Sequence, residues 1–279
     1  MPMGRFPRIP IVTLGLTLFA AALAAAGQDH ALTRARLEPS EMETFLLHAK
    51  IVDIRGAGGG VTGSQRATLT DGVFTHDVHI QSVDIAQTLF KAGRYTELNF
   101  KDSYRFNIAG YRLARLLGLT VVPMSVERSV NGNAAAVTWW VDDVQMDEGE
   151  RVKRKTMGPK PIRTSNQIQL MHIWDELIQN RDRNQGNILW TKDWTMWLID
   201  HTRAFRLGDE LQKPDELRRI DRGLFARLKG LTEDSVAKAV ADSLHESEQE
   251  AVLHRRDRIV KLFEERAAKF GDAAVYVDF

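Results

Sequence analysis

A chain of 279 residues, 43% apolar and 27% charged, holds enough hydrophobic surface for one large core or for two modest lobes that share a cleft. Its 38 basic and 37 acidic residues cancel to a formal charge of +1, which argues against nucleic acid as the main partner. With no cysteine, the sequence excludes a disulfide scaffold, thiolate metal sites and a cysteine nucleophile.

At the N-terminus Arg5 and Arg8 precede an apolar run from Ile9 to Ala26 that ends in small alanines. This is the layout of a secretory signal, so export to a periplasmic or secreted location is expected; an N-terminal membrane anchor is the alternative. Residues 1–26 are therefore set apart from the fold, and 27–48 read as a linker with a short helix, Glu38 to Leu47. Strands follow: Lys50 to Ile54, Gln65 to Leu69 and Val73 to Val83, the last two joined by Thr70-Asp71-Gly72, a strong hairpin signal. A helix is expected from Ser103 to Leu117, with Phe106, Ala109, Leu113 and Leu116 on one face and Gly118 as its stop. Two further strands, Val121 to Ser129 and Ala134 to Val144, turn at Asn131-Gly132-Asn133. Residues 49–145 thus form a β-rich lobe with one inserted helix.

The basic stretch Arg151 to Lys155, followed by Gly158-Pro159-Lys160-Pro161, has charge without periodicity and reads as a surface linker. Beyond it an amphipathic helix, Ser165 to Gln179, presents Ile168, Met171, Trp174 and Ile178 to a core. A short strand pair follows, Ile188 to Trp190 and Met196 to Ile199. The rest is helical, and Ser247-Glu248-Gln249-Glu250 reads as a capping box for a last helix ending at Phe270 before Gly271. Residues 146–279 form an α-rich lobe.

Chemistry concentrates in Asn180-Arg181-Asp182-Arg183-Asn184-Gln185-Gly186-Asn187 and in Ile199-Asp200-His201-Thr202-Arg203-Ala204-Phe205. Phosphoryl transfer needs a carboxylate to orient an attacking hydroxyl and oxygen ligands to hold a divalent metal against phosphates. Asp182, Asn187 and Asp200 match that need, because the intervening strand pair returns the chain so that Asp200 arrives near Asn187. A calcium loop is a poorer match, since Asn187 stands where its turn glycine belongs. His76 and His79 fall on opposite faces of a strand and read as surface or packing residues.

In Asp182-Arg183-Asn184 with Asn187, and in Ile199-Asp200-His201, the chain resembles the atypical branch of the protein-kinase-like superfamily. That branch contains phosphatidylinositol 3- and 4-kinases, the toxin kinase HipA and the secretory-pathway Fam20 kinases. The resemblance implies a two-lobed α+β fold, with a small antiparallel β-rich N-lobe carrying one helix and a mainly helical C-lobe. It implies an ATP-dependent phosphotransferase with Mg²⁺ or Mn²⁺, in which Asp182 is the catalytic-loop carboxylate and Asn187 and Asp200 bind metal. The acceptor is left open between a protein, a lipid and a small molecule. The glycines Gly58, Gly59 and Gly60 lie where such kinases cover the nucleotide phosphates, although a surface loop has the same composition. Trp140 and Val141 fall at the family's adenine-contacting hinge, a place where paired tryptophans also serve as core.

The family's third strand carries a lysine and its helix a glutamate partner; this chain has Gln81 and Asn107 at the corresponding places, an uncharged pair. Arg66 or Lys101 is then the candidate for the missing positive charge, each with a plain surface role as its alternative. His201 either orients Asp200 or fills the core below the cleft. The loss of lysine and glutamate makes a pseudokinase, a nucleotide-binding or scaffolding module without transfer chemistry, the competing reading.

Overall fold

The computed structural model describes residues 37–56, 64–93 and 95–278. The segment 1–26 and Gly58, Gly59 and Gly60 lie outside them. The chain divides into two units, Met1–Met42 and Glu43–Phe279. Of the first, the described part is 37–42, which includes the opening of helix α1 (Pro39–His48).

The second unit opens with strands β1 (Lys50–Gly56), β2 (Gln65–Thr70) and β3 (Thr75–Gln81). The β2–β3 turn closes because Asp71 Oδ1 accepts from the backbone of Val73 at 2.9 Å and Phe74 at 2.7 Å, while Gly72 takes φ of +94°. These bonds hold the Asp71 carboxyl below its ordinary value. The chain then makes a separate hairpin, β4 (Asp84–Ala92) and β5 (Tyr95–Ser103), which the sequence reading left unassigned. Phe90 and Phe100 stack with ring centroids 4.1 Å apart on it, and Ile85, Leu89 and Leu98 stay exposed.

Helix α2 (Arg105–Leu116) follows, and buries Phe106, Asn107, Ile108, Ala109, Leu113 and Ala114. Strands β6 (Ser125–Val130) and β7 (Asn133–Trp139) return through Asn131 and Gly132 at φ of +52° and +82°, a two-residue turn whose twist suits a hairpin. The first sheet is antiparallel with order β1-β2-β3-β7-β6. After Trp139 the chain passes through 140–143 into β8 (Val144–Asp147), which belongs to a second sheet of order β10-β9-β8 with β9 (Ile188–Thr191) and β10 (Met196–Leu198).

Two expectations are corrected in this region. The stretch read as a linker holds helix α3 (Glu148–Lys153), capped by Asp147, which accepts from Glu150 N; Arg151 is buried there against Glu148 at 2.6 Å. Glu148 also accepts from the Trp190 indole at 2.8 Å, so this helix forms from tertiary pairing rather than from periodicity. Helix α4 (Pro161–Leu177) starts earlier than read, with proline in its first turn, where a missing N–H costs nothing.

The α-rich half continues with β11 (Ile220–Asp221), α5 (Arg222–Gly230), α6 (Glu233–Val240), α7 (Glu246–Phe270), α8 (Asp272–Val275) and β12 (Tyr276–Val277). The cap of α7 also differs from expectation. His245 is its N-cap, and Glu248 reaches back to His245 N at 2.8 Å, so the helix begins two residues before the position read. One continuous core joins α2, α4, β9, β10, α5, α6 and α7, with Trp174, Trp190, Phe205 and Phe263 buried at its centre. Removing a ring of that size costs about 3–5 kcal/mol. Among the described residues no helix is long and apolar enough to cross a membrane.

Candidate active site

The loop after α4 is shaped by its own short polar side chains. Asn180 Oδ1 accepts from Asp182 N at 3.1 Å, Asn184 Oδ1 from Gly186 N at 2.9 Å, and Asn187 N bonds back to Asn184 O at 3.1 Å. Asp182 and Asn187 thereby stand at the two ends of one compact turn. At the far end of the strand pair, Ile199 N donates to Asn187 O at 3.0 Å, so that Asp200 directly follows the residue bonded to the metal-ligand candidate Asn187.

Arg183 locks this arrangement. Its Nε and Nη2 each reach Asp175 of α4 at 3.0 Å, and Nη1 donates to Ile199 O at 2.6 Å and Asn187 O at 3.2 Å. The sequence names Arg183 only as part of a motif; its role depends on carbonyls brought in by β10. Burial raises the Asp175 carboxyl above its ordinary value, and Arg183 opposes that rise.

His201 lies in the core, as its packing alternative expects. Its Nε2 is met by Trp174 Nε1 and by Arg183 Nη2, both at 3.2 Å. Two donors on Nε2 place the ring proton on Nδ1. Burial, aided by the Arg183 cation, drives the imidazole well below its ordinary value, so it is neutral. Asn107 Oδ1 accepts from His201 N at 2.8 Å, tying α2 to the segment that carries Asp200.

Asp200 has φ of +54°, a left-handed conformation that is uncommon outside glycine. Its Oδ1 accepts from Thr202 Oγ1 at 3.0 Å and its carboxylate remains solvent-exposed. Asp182 Oδ2 is 3.2 Å from Arg203 Nη1, and Arg203 Nε is 2.8 Å from Asp102 of β5. Burial raises the Asp182 carboxyl above its ordinary value; Arg203 opposes this, and the like charges of Asp200 and Asp102 add to it. Asp102 was not foreseen, because its meaning depends on an arginine 101 positions away.

The remaining candidates divide. Gln81 is buried and its Oε1 accepts from Val83 N at 3.0 Å; the only side-chain bond of Asn107 among the described residues is the one to His201 N. Each amide oxygen of this uncharged pair thus accepts from a backbone N–H. Arg66 reaches Asp77 at 2.5 Å and stacks 4.1 Å from the Trp140 ring, which places Trp140 and Val141 in the 140–143 crossing but leaves Arg66 committed. Lys101 pairs with the buried Glu248 of α7 at 2.5 Å. His79 sits on β3, on the face it shares with Gln81 and Asp77. Burial lowers its pKa, and the charge of Asp200 opposes that.

No protein-family profile and no curated sequence matches the chain. Solved structures do. That of hydra Fam20 with sugar has a TM-score of 0.64 at 14% identity, over 86% of this chain and 92% of the other. That of the Golgi casein kinase with Mn/ADP bound has a TM-score of 0.65 at 14% identity, over 86% and 80% of the two chains. The Helicobacter pylori proinflammatory kinase CtkA gives 0.50 at 10% identity, over 81% and 98%. The β-rich and helical halves described above therefore constitute an atypical-kinase-like fold. At these identities the likeness concerns the fold, and the roles of individual residues rest on the geometry of this chain.

Proposed function

We propose that the chain is a phosphotransferase that uses ATP and Mg²⁺ or Mn²⁺, with Asp182 orienting the acceptor hydroxyl and Asn187 and Asp200 holding the metal. The observation that carries this reading is the Ile199–Asn187 backbone bond, which gathers the polar ends of two separate segments at one point beside Asp182. The Golgi casein kinase structure contains Mn/ADP, which supports the choice of nucleotide and metal. Of the branches the sequence resembles, Fam20 supplies a neighbour of like fold and is the guide we take.

The donor set fits a hard divalent cation. Asn187 offers an amide oxygen whose side chain makes no hydrogen bond among the described residues, and Asp200 offers an exposed carboxylate with one oxygen uncommitted. No cluster of three or more His, Cys, Asp or Glu side chains suited to a metal occurs among the described residues. Two protein ligands are the usual complement where substrate phosphates supply the others. Such an ion neutralises phosphate charge when bound. Asp182 holds the acceptor and takes its proton, Arg183 keeps Asn187 and Asp200 in register, and Asn107 fixes the segment between the lobes.

Export by the N-terminal segment, or attachment there to a membrane, belongs to the same proposal, as does an acceptor met outside the cytoplasm. The pseudokinase reading draws on one observation, that Gln81 and Asn107 bond backbone and bring no charge to the phosphates. Release of ADP from ATP by the purified chain separates the two. Metal-dependent turnover lost in Asp200→Ala supports transfer; nucleotide binding without turnover supports the pseudokinase.

A further inference from the structure

We propose that Arg203 is the cation that meets the transferred phosphoryl group, and that buried Asp102 on β5 is the positioning residue that aims it. This rests on the phosphotransferase reading and adds to it the charge that Gln81 and Asn107 do not supply.

The guanidinium is held at both ends. Its Nε reaches Asp102 Oδ2 at 2.8 Å, its Nη1 reaches Asp182 Oδ2 at 3.2 Å, and its carbon lies 5.6 Å from the Phe100 ring centroid. Nη2 makes no hydrogen bond among the described residues, and the side chain is 36% exposed, so a guanidinium that already reaches Asp182 keeps a donor in reserve. Asp102 is 2% exposed and its Oδ1 has no hydrogen-bond partner. A buried carboxylate satisfied on one oxygen only is costly to keep, and here the arginine is what compensates it.

Four other cations of this region are held in pairs of their own. Arg66 is bound to Asp77, Lys101 to Glu248 and Arg183 to Asp175. Arg206 pairs with buried Glu97 at 2.6 Å. Lys101 and Asp102 are adjacent on β5 and point to opposite faces of it, so Lys101 is directed away from Arg203. Against this guanidinium stand its two carboxylate partners, Asp102 and Asp182, and Asp200, whose charge is felt at Asp182.

In the reaction the acceptor oxygen forms a bond to the γ-phosphorus of ATP and its proton passes to Asp182. The bond from that phosphorus to the bridging oxygen breaks, and its electron pair leaves with ADP. A group 3.2 Å from the carboxylate that holds the acceptor is already beside the phosphoryl group that the acceptor attacks. A planar guanidinium donates to such oxygens in pairs, which a lysine cannot do.

The test uses the whole chain with ATP and Mn²⁺, water serving as acceptor, and reads ADP release and melting temperature. Arg203→Gln is expected to lower kcat about 10²- to 10³-fold, as loss of one transition-state donor does, with the KM for ATP changed far less. Arg203→Lys is expected to recover part of the rate. The double variant Asp102→Asn with Arg203→Gln removes both charges, and is expected to recover melting temperature but not turnover. Recovery of both would show that Arg203 only neutralises Asp102, and would overturn the proposal. An active wild type, an inactive Asp200→Ala and an unaffected Arg203→Gln would likewise overturn the Arg203 role while leaving the phosphotransferase reading intact. Equal ADP release by wild type and Asp200→Ala would remove that reading, and this proposal with it.

Discussion

The catalytic-loop region and the region of β3 and α2 are built differently. On the catalytic-loop side, Asp182, Asn187 and Asp200 are exposed or half-buried and are held by backbone bonds and by Arg183, so that their side chains stay available. On the side formed by β3 and α2, Gln81 and Asn107 are buried and use their polar atoms on backbone N–H groups. One region leaves polar side chains available and the other uses them to hold the structure still. The difference teaches that, on the proposed phosphotransferase reading, positive charge for phosphate is to be sought on the loop side, where Arg203 is, rather than on the central strand.

The largest effect expected is on turnover. Asp182→Asn keeps the shape of the loop and removes the base, so ADP release should fall about 10²- to 10⁴-fold, while the nucleotide-dependent rise in melting temperature persists. Unchanged release would place the chemistry elsewhere. Arg183→Ala attacks the same side through its scaffold. It leaves the buried Asp175 without its partner, and stability in urea should drop by about 3–5 kcal/mol; a loss below about 1 kcal/mol would deny Arg183 its role as the lock.

The buried support of the loop, His201, is probed by pH. The imidazole of His201 is depressed in the folded state, whereas its unfolded value is the ordinary 6.5, so the unfolded chain binds the extra proton. Stability from this group is complete above 6.5 and is lost as pH falls below it, at up to about 1.4 kcal/mol per pH unit until the folded value is reached. Urea midpoints of wild type and His201→Gln from pH 7.5 to 5 should show a steeper acid decline in wild type; parallel curves would contradict it. The smallest effect belongs to Arg66→Ala. Its pair with Asp77 is partly exposed, so stability should change by no more than about 1 kcal/mol, and ATP affinity measured by titration should hold. A large fall in affinity would restore Arg66 as the phosphate cation.

Much of the fold is legible wherever local chemistry decides the structure. Asp71-Gly72 and Asn131-Gly132 announce their hairpins because few other residues take those backbone angles at no cost. The return of Ile199 to Asn187 is legible too, since a short strand pair brings its ends together. What is not legible depends on distant partners. Helix α3 is hidden because Arg151 looks like one more surface charge until Glu148 and Trp190 enclose it. The β4–β5 hairpin is hidden because Ile85, Leu89 and Leu98 stay exposed on a two-stranded ribbon, so that no face of it is uniformly apolar. Asp102 gains meaning only from Arg203, and the commitment of Lys101 only from Glu248 on α7.

The central claim is that Asp200 and Asn187 hold a divalent metal against ATP beside Asp182. A thermal-shift titration of the chain with ATP, Mn²⁺ and both together, in wild type and Asp200→Ala, addresses it directly, because a ligand of the native state stabilises it by about 2.7 kcal/mol at a hundred times its Kd. The account predicts a rise in wild type that requires both components and is absent in Asp200→Ala. The same rise in both proteins, or none in either, would contradict it.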